Sequence, residues 1–308
     1  MIRYTIRRIL LIIPTFIGAS ALVFFAGFAL PGDPVSAFGG ERALPEATRR
    51  VLVERYRLDQ PVINQYLGYM GDVLTGDFGE SVLRRRPVND IFAETFPNTV
   101  KLAGLAIVFE LVVGLTAGIV AALRKDKFLD SLVLVTTIIA ISIPVFVLGF
   151  SLQYLVGVRW QILPVAGLQE GFRSLILPSF VLGVLSLAYV ARLTRTSLAE
   201  TLREDYIRTA QAKGLRNSRV IGRHALRNAL IPVITFIGID LGALMGGAIV
   251  TETIFNINGV GFNLFRAIGS RDNAIVVGFT LIAVMIFLSM SLIVDLIYAA
   301  LDPRIRYE

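Results

Sequence analysis

The chain has 308 residues, 55% of them hydrophobic, with no cysteine and a single histidine, His224, and its mean hydropathy is +0.70. Such a chain is too apolar for an ordinary soluble domain, and the missing thiols and lone histidine argue against disulfide frameworks, thiolate or His-rich metal sites and a Ser-His-Asp triad. Its net charge of +7 would suit nucleic acid, but the basic residues sit between apolar stretches, as in the cytoplasmic loops of a membrane protein.

A membrane-crossing helix needs roughly 20 mostly apolar residues, and six segments qualify. Residues 9–30 carry no charge. A secretory leader is the other reading of this span, but its apolar run is long for one and Pro31 and Pro34 follow where a cleavage site would lie, so it reads as a retained helix. Next comes a segment, 31–97, with eight Arg and ten acids. Residues 45–58 and 62–74 have helical spacing, with Leu52, Tyr56, Ile63, Tyr66, Leu67 and Met70 as apolar faces, between the turn motifs Pro31-Gly32-Asp33-Pro34 and Gly76-Asp77-Phe78-Gly79. The remaining spans are 102–123, 131–158 with Pro144, 174–191 with Pro178, 228–251 and 274–301. The short loops place positive charge at Arg3, Arg7 and Arg8, at Arg124, Lys125 and Lys127, along 192–227 and at Arg304 and Arg306, which predicts both termini inside and 31–97 outside. The expected fold class is an all-α polytopic membrane protein with six transmembrane helices and a partly helical extracytoplasmic segment. Its units are 1–94, a core over 95–302 containing the cytosolic loop 192–227, and a cytosolic tail, 303–308.

That cytosolic loop holds nine Lys/Arg against three acids. Asp205 is placed to cap a short helix over 206–213, and Gly214 to end it in a left-handed conformation. Asn217 is placed to cap a second helix running toward span five, with Arg219, Arg223 and Arg227 on one face and Val220, Ile221, His224 and Ala225 on another. Ala210, Ala212 and Gly214 are small enough to admit a close partner. On periodicity alone the loop reads equally as a protein dock and as a basic amphipathic element on anionic headgroups.

Arg208-Thr209-Ala210, then Gln211-Ala212-Lys213 and Gly214, resembles the cytosolic Glu-Ala-Ala, three residues, Gly motif of bacterial ABC importer permeases. His224-Ala225-Leu226 stands where their downstream Ile-x-Leu-Pro lies, with Arg227 in place of the proline. Arg208 and Thr209 in place of Glu-Ala resemble the oligopeptide/dipeptide (peptide/nickel) permease family. So do Pro31-Gly32-Asp33-Pro34, Gly76-Asp77-Phe78-Gly79, Arg86-Pro87-Val88, Pro97-Asn98-Thr99, Glu252-Thr253-Ile254-Phe255 and Gly259-Val260-Gly261. The resemblance covers essentially the whole chain, and it is specific to the subunit bearing the long outer segment. It implies a type I ABC importer permease-like fold and import of di- or oligopeptides or a similar solute across a bacterial cytoplasmic membrane. It also implies a second homologous permease as heterodimer partner, two ATP-binding subunits or domains that hold ATP and Mg, and an extracytoplasmic solute-binding protein. Contact with the ATPase falls to Arg208, Thr209, Ala210, Lys213, Gly214, Arg219, Arg223 and His224 within 205–232. No Gly-Lys pair occurs in the chain, so the phosphate cradle of a P-loop is absent and ATP hydrolysis belongs to another chain; the chain is not expected to be an enzyme.

Three carboxylates lie within spans: Glu110, Asp240 and Asp295. A charge at the bilayer centre costs at least about 2.5–3.5 kcal/mol, so each must face protein or water. Glu110 and Asp240 are weighed as translocation-path groups against internally bonded ones, and Asp295 reads as structural. Gly238, Gly242 and Gly246, like Gly114 and Gly118, have the spacing of close helix packing; the first three are also translocation-path candidates, on the hypothesis that movement of the cytosolic loop shifts their helix against a neighbour in the second permease and changes access to the path. Glu252, Arg266 and Arg271 at the outer mouth are binding-protein contacts or parts of a re-entrant turn. An ion-gradient transporter would want inverted repeats and broken helices, for which Pro144 and Pro178 are candidates without a convincing repeat. An intramembrane protease would want a clustered catalytic set, which the sequence lacks.

Overall fold

The computed structural model describes residues 2–29, 46–55, 59–81 and 83–301. The turn Pro31-Gly32-Asp33-Pro34, the side chains of Leu52 and Tyr56 and the tail with Arg304 and Arg306 lie outside the described residues. The first helix, α1 (Ile2–Ala29), is followed by α2 (Glu46–Arg55) and α3 (Val62–Leu74). A two-residue hairpin, β1 (Glu80–Ser81) with β2 (Arg86–Pro87), pairs Ser81 with Arg86 and hands the chain to α4 (Val88–Phe109).

Span two is longer than its apolar run. α4 continues through one wide π-type turn at Glu110–Gly114 into α5 (Leu115–Leu123), making a rod of 36 residues, about 54 Å at 1.5 Å per residue. Its first turns carry Thr95, whose hydroxyl donates back to the Ile91 carbonyl of the same helix, and Asn98 and Thr99, which bond to the 252–258 segment rather than ending the helix.

Span three is not a straight crossing. α6 (Phe128–Ser142) and α7 (Val145–Leu152), with the wide turns Gln153–Arg159 beyond it, meet at 98°. Pro144 supplies no N–H and forces Ile143 into an extended conformation, at φ −87 and ψ 120, so the helix must stop there. Pro178 has no such effect: α8 (Phe172–Thr201) runs unbroken through it for 30 residues, and on past the predicted span end at 191. Among the described residues, four helices are long and apolar enough to cross a membrane, or up to six if each bent pair counts as one span.

After α8 come α9 (Asp205–Ala212), α10 (Asn217–Arg219), a wide turn at Val220–Ala225, α11 (Leu226–Ala229) and α12 (Ile231–Met245). The chain bends by 48° between α11 and α12, where Pro232 occupies the first turn. Span five also ends early. Gly246 caps α12, Gly247 turns at φ +109, and α13 (Ile249–Ile254), α14 (Val260–Ser270) and α15 (Asn273–Leu301) follow.

The rod α4–α5 packs along α8, and α12 and α1 pack along α15. A Cβ on Gly118 would sit 2.6 Å from the Ala191 carbonyl, and one on Gly183 would sit 3.0 Å from that of Ala106. These are the close backbone approaches that small residues permit. The glycines of α12 face the chain's own last helix. A Cβ on Gly238 would overlap Val294, one on Gly242 would lie 3.1 Å from Met290, and Gly246 looks toward Ala283. Within the chain, α15 is thus the helix against which this glycine face packs. Gly242→Leu is accordingly expected to loosen the α12–α15 pair within the chain. A lowered melting temperature of the purified chain checks this; an unchanged one with lost subunit pairing would contradict it.

Candidate functional site

The loop between α8 and α12 is a built element. Ile207 and Ala210 of α9, Val220, Ala225 and Ala229 of the returning helix, Leu198 and Ala199 of α8 and Ala122 of α5 form one buried apolar cluster. Burial of this kind, at ~25 cal/mol per Å2, fixes two short helices that would not be stable alone. Three polar ties add direction. The Ser197 hydroxyl donates to the Ala229 carbonyl at 2.9 Å, the Asn228 amide donates to the Tyr206 hydroxyl at 2.8 Å, and the Gly214 N–H donates to the Gln211 carbonyl at 2.9 Å.

Gly214 sits at φ +75, the left-handed end of α9 that the sequence predicted. The caps fall one residue earlier than expected. Glu204 and Arg216, both extended, occupy the capping positions, and Asp205 and Asn217 are the first helical residues, with no side-chain cap at either helix. The extended backbone before each helix ends one residue sooner than the preferred capping side chain. Asp205 instead pairs with Arg208 at 3.3 Å, both side chains largely exposed, a bridge worth little in water and easily exchanged for another partner.

The two-faced reading of the second helix matches the structure. Arg219, Arg223 and Arg227 are exposed, Val220 and Ala225 are buried, and His224 is half-buried. Arg208, Thr209, Lys213 and Gly214 are also exposed, with Thr209 bonding the Asp205 carbonyl at 2.9 Å. Ala210 differs. It lies in the apolar cluster, so it supports the element from beneath and cannot be a contact on its surface. The result is a rigid, basic, outward-facing knob.

One pair at its base escaped the sequence reading. Arg195 of α8 holds Asp130 of α6 in a two-pronged ion pair, Nε to Oδ1 at 2.9 Å and Nη2 to Oδ2 at 2.7 Å, and the Asp126 N–H donates to Oδ2 at 2.9 Å. In the sequence Arg195 falls among the basic residues of the loop 192–227. Its signal was spacing: it stands four residues after Ala191 and three before Leu198, both buried, and hence on the core face of α8.

Among the intramembrane carboxylates, Glu110 is fully buried and Asp240 lies beside it, accepting a hydrogen bond from the Ser186 hydroxyl at 3.0 Å. The pair is enclosed by the rod, α8 and α12 of one chain. Asp295 pairs with Arg8 of α1 at 3.1 Å.

At the end of the bundle away from the knob, Glu252 is fully buried. The Thr99 hydroxyl donates to its Oε1 and the Phe262 N–H to its Oε2, each at 2.8 Å, and the Val260 N–H donates to Thr99 at 2.9 Å. Burial pushes this carboxyl up, against the pull of those donors. Glu252 therefore pins a re-entrant turn and is no surface contact, whereas Arg266, with its guanidinium 5.6 Å over the Phe262 ring, and Arg271 are exposed. Glu252→Ala leaves the Phe262 N–H and Thr99 hydroxyl without acceptors, at ~1–3 kcal/mol for each orphaned group. The expected result is a clear drop in melting temperature, smaller for Glu252→Gln; equal melting of wild type and both variants would remove the pinning role.

The chain matches two family models, "Binding-protein-dependent transport system inner membrane component" over residues 114–307 and its N-terminal companion over 1–103. It is 38% identical over 338 aligned positions to the dipeptide transport system permease protein DppB of Escherichia coli K12, and 38% to the di/tripeptide transport system permease protein DppB of Pseudomonas aeruginosa. It is 39% identical to the glutathione transport system permease protein GsiC of E. coli K12. Each of these alignments covers 100% of both chains. Among solved structures, a chain of the MetNI methionine ABC transporter in inward-facing conformations superposes with a TM-score of 0.55 at 17% identity, over 69% of this chain and 96% of that one, a likeness of fold.

Proposed function

The chain belongs to the binding-protein-dependent transport system inner membrane components, and from that membership we propose that it is the permease subunit through which an ATP-driven importer takes up short peptides. The observation that carries the cargo class is the end-to-end likeness to permeases named for dipeptides, di/tripeptides and glutathione, all of them peptides. A binding protein on the outer face delivers the peptide, and a second, related permease completes the path. Two ATPase subunits or domains, holding ATP and Mg, engage the knob over 205–232. The excess of positive charge on the knob's side supports an orientation with that side, and both termini, in the cytosol. This chain does no covalent chemistry; it presents different contacts in inward- and outward-facing states, and ATP binding to its partners shifts the balance between them.

Co-purification of the intact complex, followed by identification of the ligand on its binding protein, tests the cargo; a non-peptide ligand would overturn it. Gly214 tests the docking. A Cβ there meets nothing within 4 Å, so only the backbone at φ +75 is at issue. A left-handed residue other than glycine costs ~1–2 kcal/mol, more if β-branched, while asparagine tolerates it. Gly214→Val is expected to abolish ATP-driven uptake with normal membrane insertion, and Gly214→Asn to keep most of it. Equal uptake in both variants would count against docking through this turn. Arg219→Glu with Arg223→Glu is expected to release the ATPase on purification.

A further inference from the structure

The segment between the first two spans reads as extracytoplasmic, yet α3 does not stand clear of the bundle. Its Tyr66 hydroxyl is 2.8 Å from the Ser20 hydroxyl of α1 and donates to the Ile17 carbonyl at 3.3 Å. The Tyr66 ring also packs edge-on to Phe24, with centroids 5.5 Å apart. The apolar stretch of α1 runs over Thr5–Ala26. Ser20 therefore lies six residues, or about 9 Å at 1.5 Å per residue, inside its end. Val73 of α3 is buried against Val277 and Leu281 of α15, with Phe16 and Val23 of α1 beside them. α3 is thus lodged in the groove between two spanning helices, below the level at which their apolar surface ends.

Its remaining surface divides in two. At 100° per residue, Ile63, Leu67 and Leu74 share one arc, and they are 54%, 61% and 81% exposed. Asn64, Gly68 and Gly71 occupy the next arc, with no apolar side chain among them. A helix facing water on both arcs would gain nothing from three bare aliphatic side chains on one of them. α1, to which α3 is tied, itself leaves Ile17 and Leu22 exposed within its apolar stretch, as a spanning helix does toward the hydrocarbon of the bilayer. A helix lying in the interface sinks its apolar face ~5–10 Å into the headgroup and acyl boundary, the depth that the Ser20 contact sets.

We propose that α3 is an interfacial helix whose Ile63, Leu67 and Leu74 rest in lipid acyl chains, wedged between α1 and α15. The occupant is the bilayer and not another protein. With the termini in the cytosol, the leaflet is the outer one. The inference stands on the spanning fold and is independent of the cargo.

The chain has no cysteine, so each introduced cysteine is its single labelling site, and the complex carrying the unsubstituted chain, treated with the same label, gives the background from the other subunits. Nitroxide labels at Ile63→Cys, Leu67→Cys and Leu74→Cys, with Asn64→Cys and Gly71→Cys as the water-facing set, would be read in the full chain with its co-purifying subunits in phosphatidylcholine nanodiscs. The expected result is that 63, 67 and 74 collide with oxygen in preference to a soluble nickel chelate, and that 64 and 71 show the reverse. Chelate access at 63 and 67 equal to that at 64 would overturn the proposal in favour of a water-exposed face. Shielding of both sites from both quenchers would overturn it in favour of a protein cover.

Discussion

Arg195→Met is expected to destabilise the chain by ~1–3 kcal/mol, the cost of leaving a buried carboxylate in a partly buried ion pair without its charged donors. The Asp130 side chain is only 4% exposed, against 19% for Arg195. Without the guanidinium the carboxylate keeps the Asp126 N–H and loses both charged donors. The reverse change is milder, because in Asp130→Asn the amide oxygen still accepts from Arg195 and the guanidinium has more access to water. Arg195→Lys falls between, since an ammonium cannot repeat the two-pronged geometry. The double variant Asp130→Asn, Arg195→Met is expected to melt above Arg195→Met alone, because no bare charge then remains. Melting temperatures of the four variants in one detergent check the order. If Arg195→Met melts with the wild type, or the double variant melts lowest, the pair is not what holds α6 to α8. Function follows from position. Arg195 lies six residues before the end of α8 at Thr201, from which the knob hangs. A loosened α6–α8 joint should therefore weaken coupling to ATP even where the protein still assembles.

What was legible in the sequence were the features that local rules decide. The left-handed Gly214, the outward row of Arg219, Arg223 and Arg227 and the inward Val220 and Ala225 follow from φ preference and helical spacing, and the structure reproduces them. The apolar runs located the spans but not their ends. The polar first turns of α4 stay helical because Asn98 and Thr99 find partners in the re-entrant turn, and those partners lie some 160 residues away in the chain. Pro144 and Pro178 look alike in sequence. One breaks a helix and the other does not, because α8 around Pro178 is clamped by the rod: the neighbouring Ser179 donates to the Leu102 carbonyl at 3.2 Å. The enclosure of Glu252 and the pairing of Asp130 with Arg195 are tertiary facts, for which spacing nominates one member at most.

The same joint carries the second large effect. Gly118 faces α8 so closely that an added Cβ would meet the Ala191 carbonyl and the Thr194 Cβ, each at 2.6 Å. The obstructing atoms are on or next to the backbone of a helix that is itself held by Arg195, so they cannot rotate away. Overpacking a tight site costs ~1–3 kcal/mol even for small additions. Gly118→Ala is therefore expected to fall in that range, and Gly118→Leu to give little or no folded chain. Gly104 on the same rod is the control. It is exposed, and nothing lies within 4 Å of its added Cβ, so Gly104→Ala gains up to ~1 kcal/mol of helix propensity. If both alanine variants melted alike, the rod and α8 would not be in backbone contact. Ala122, one turn beyond Gly118, lies in the apolar cluster under the knob. Separating α5 from α8 at Gly118 thus also removes one wall of the seat on which Ile207 and Ala210 rest. A partial loss, as in Gly118→Ala, is expected to reduce ATP-driven uptake by more than it reduces the amount of chain in the membrane, and uptake per inserted chain is the quantity to measure.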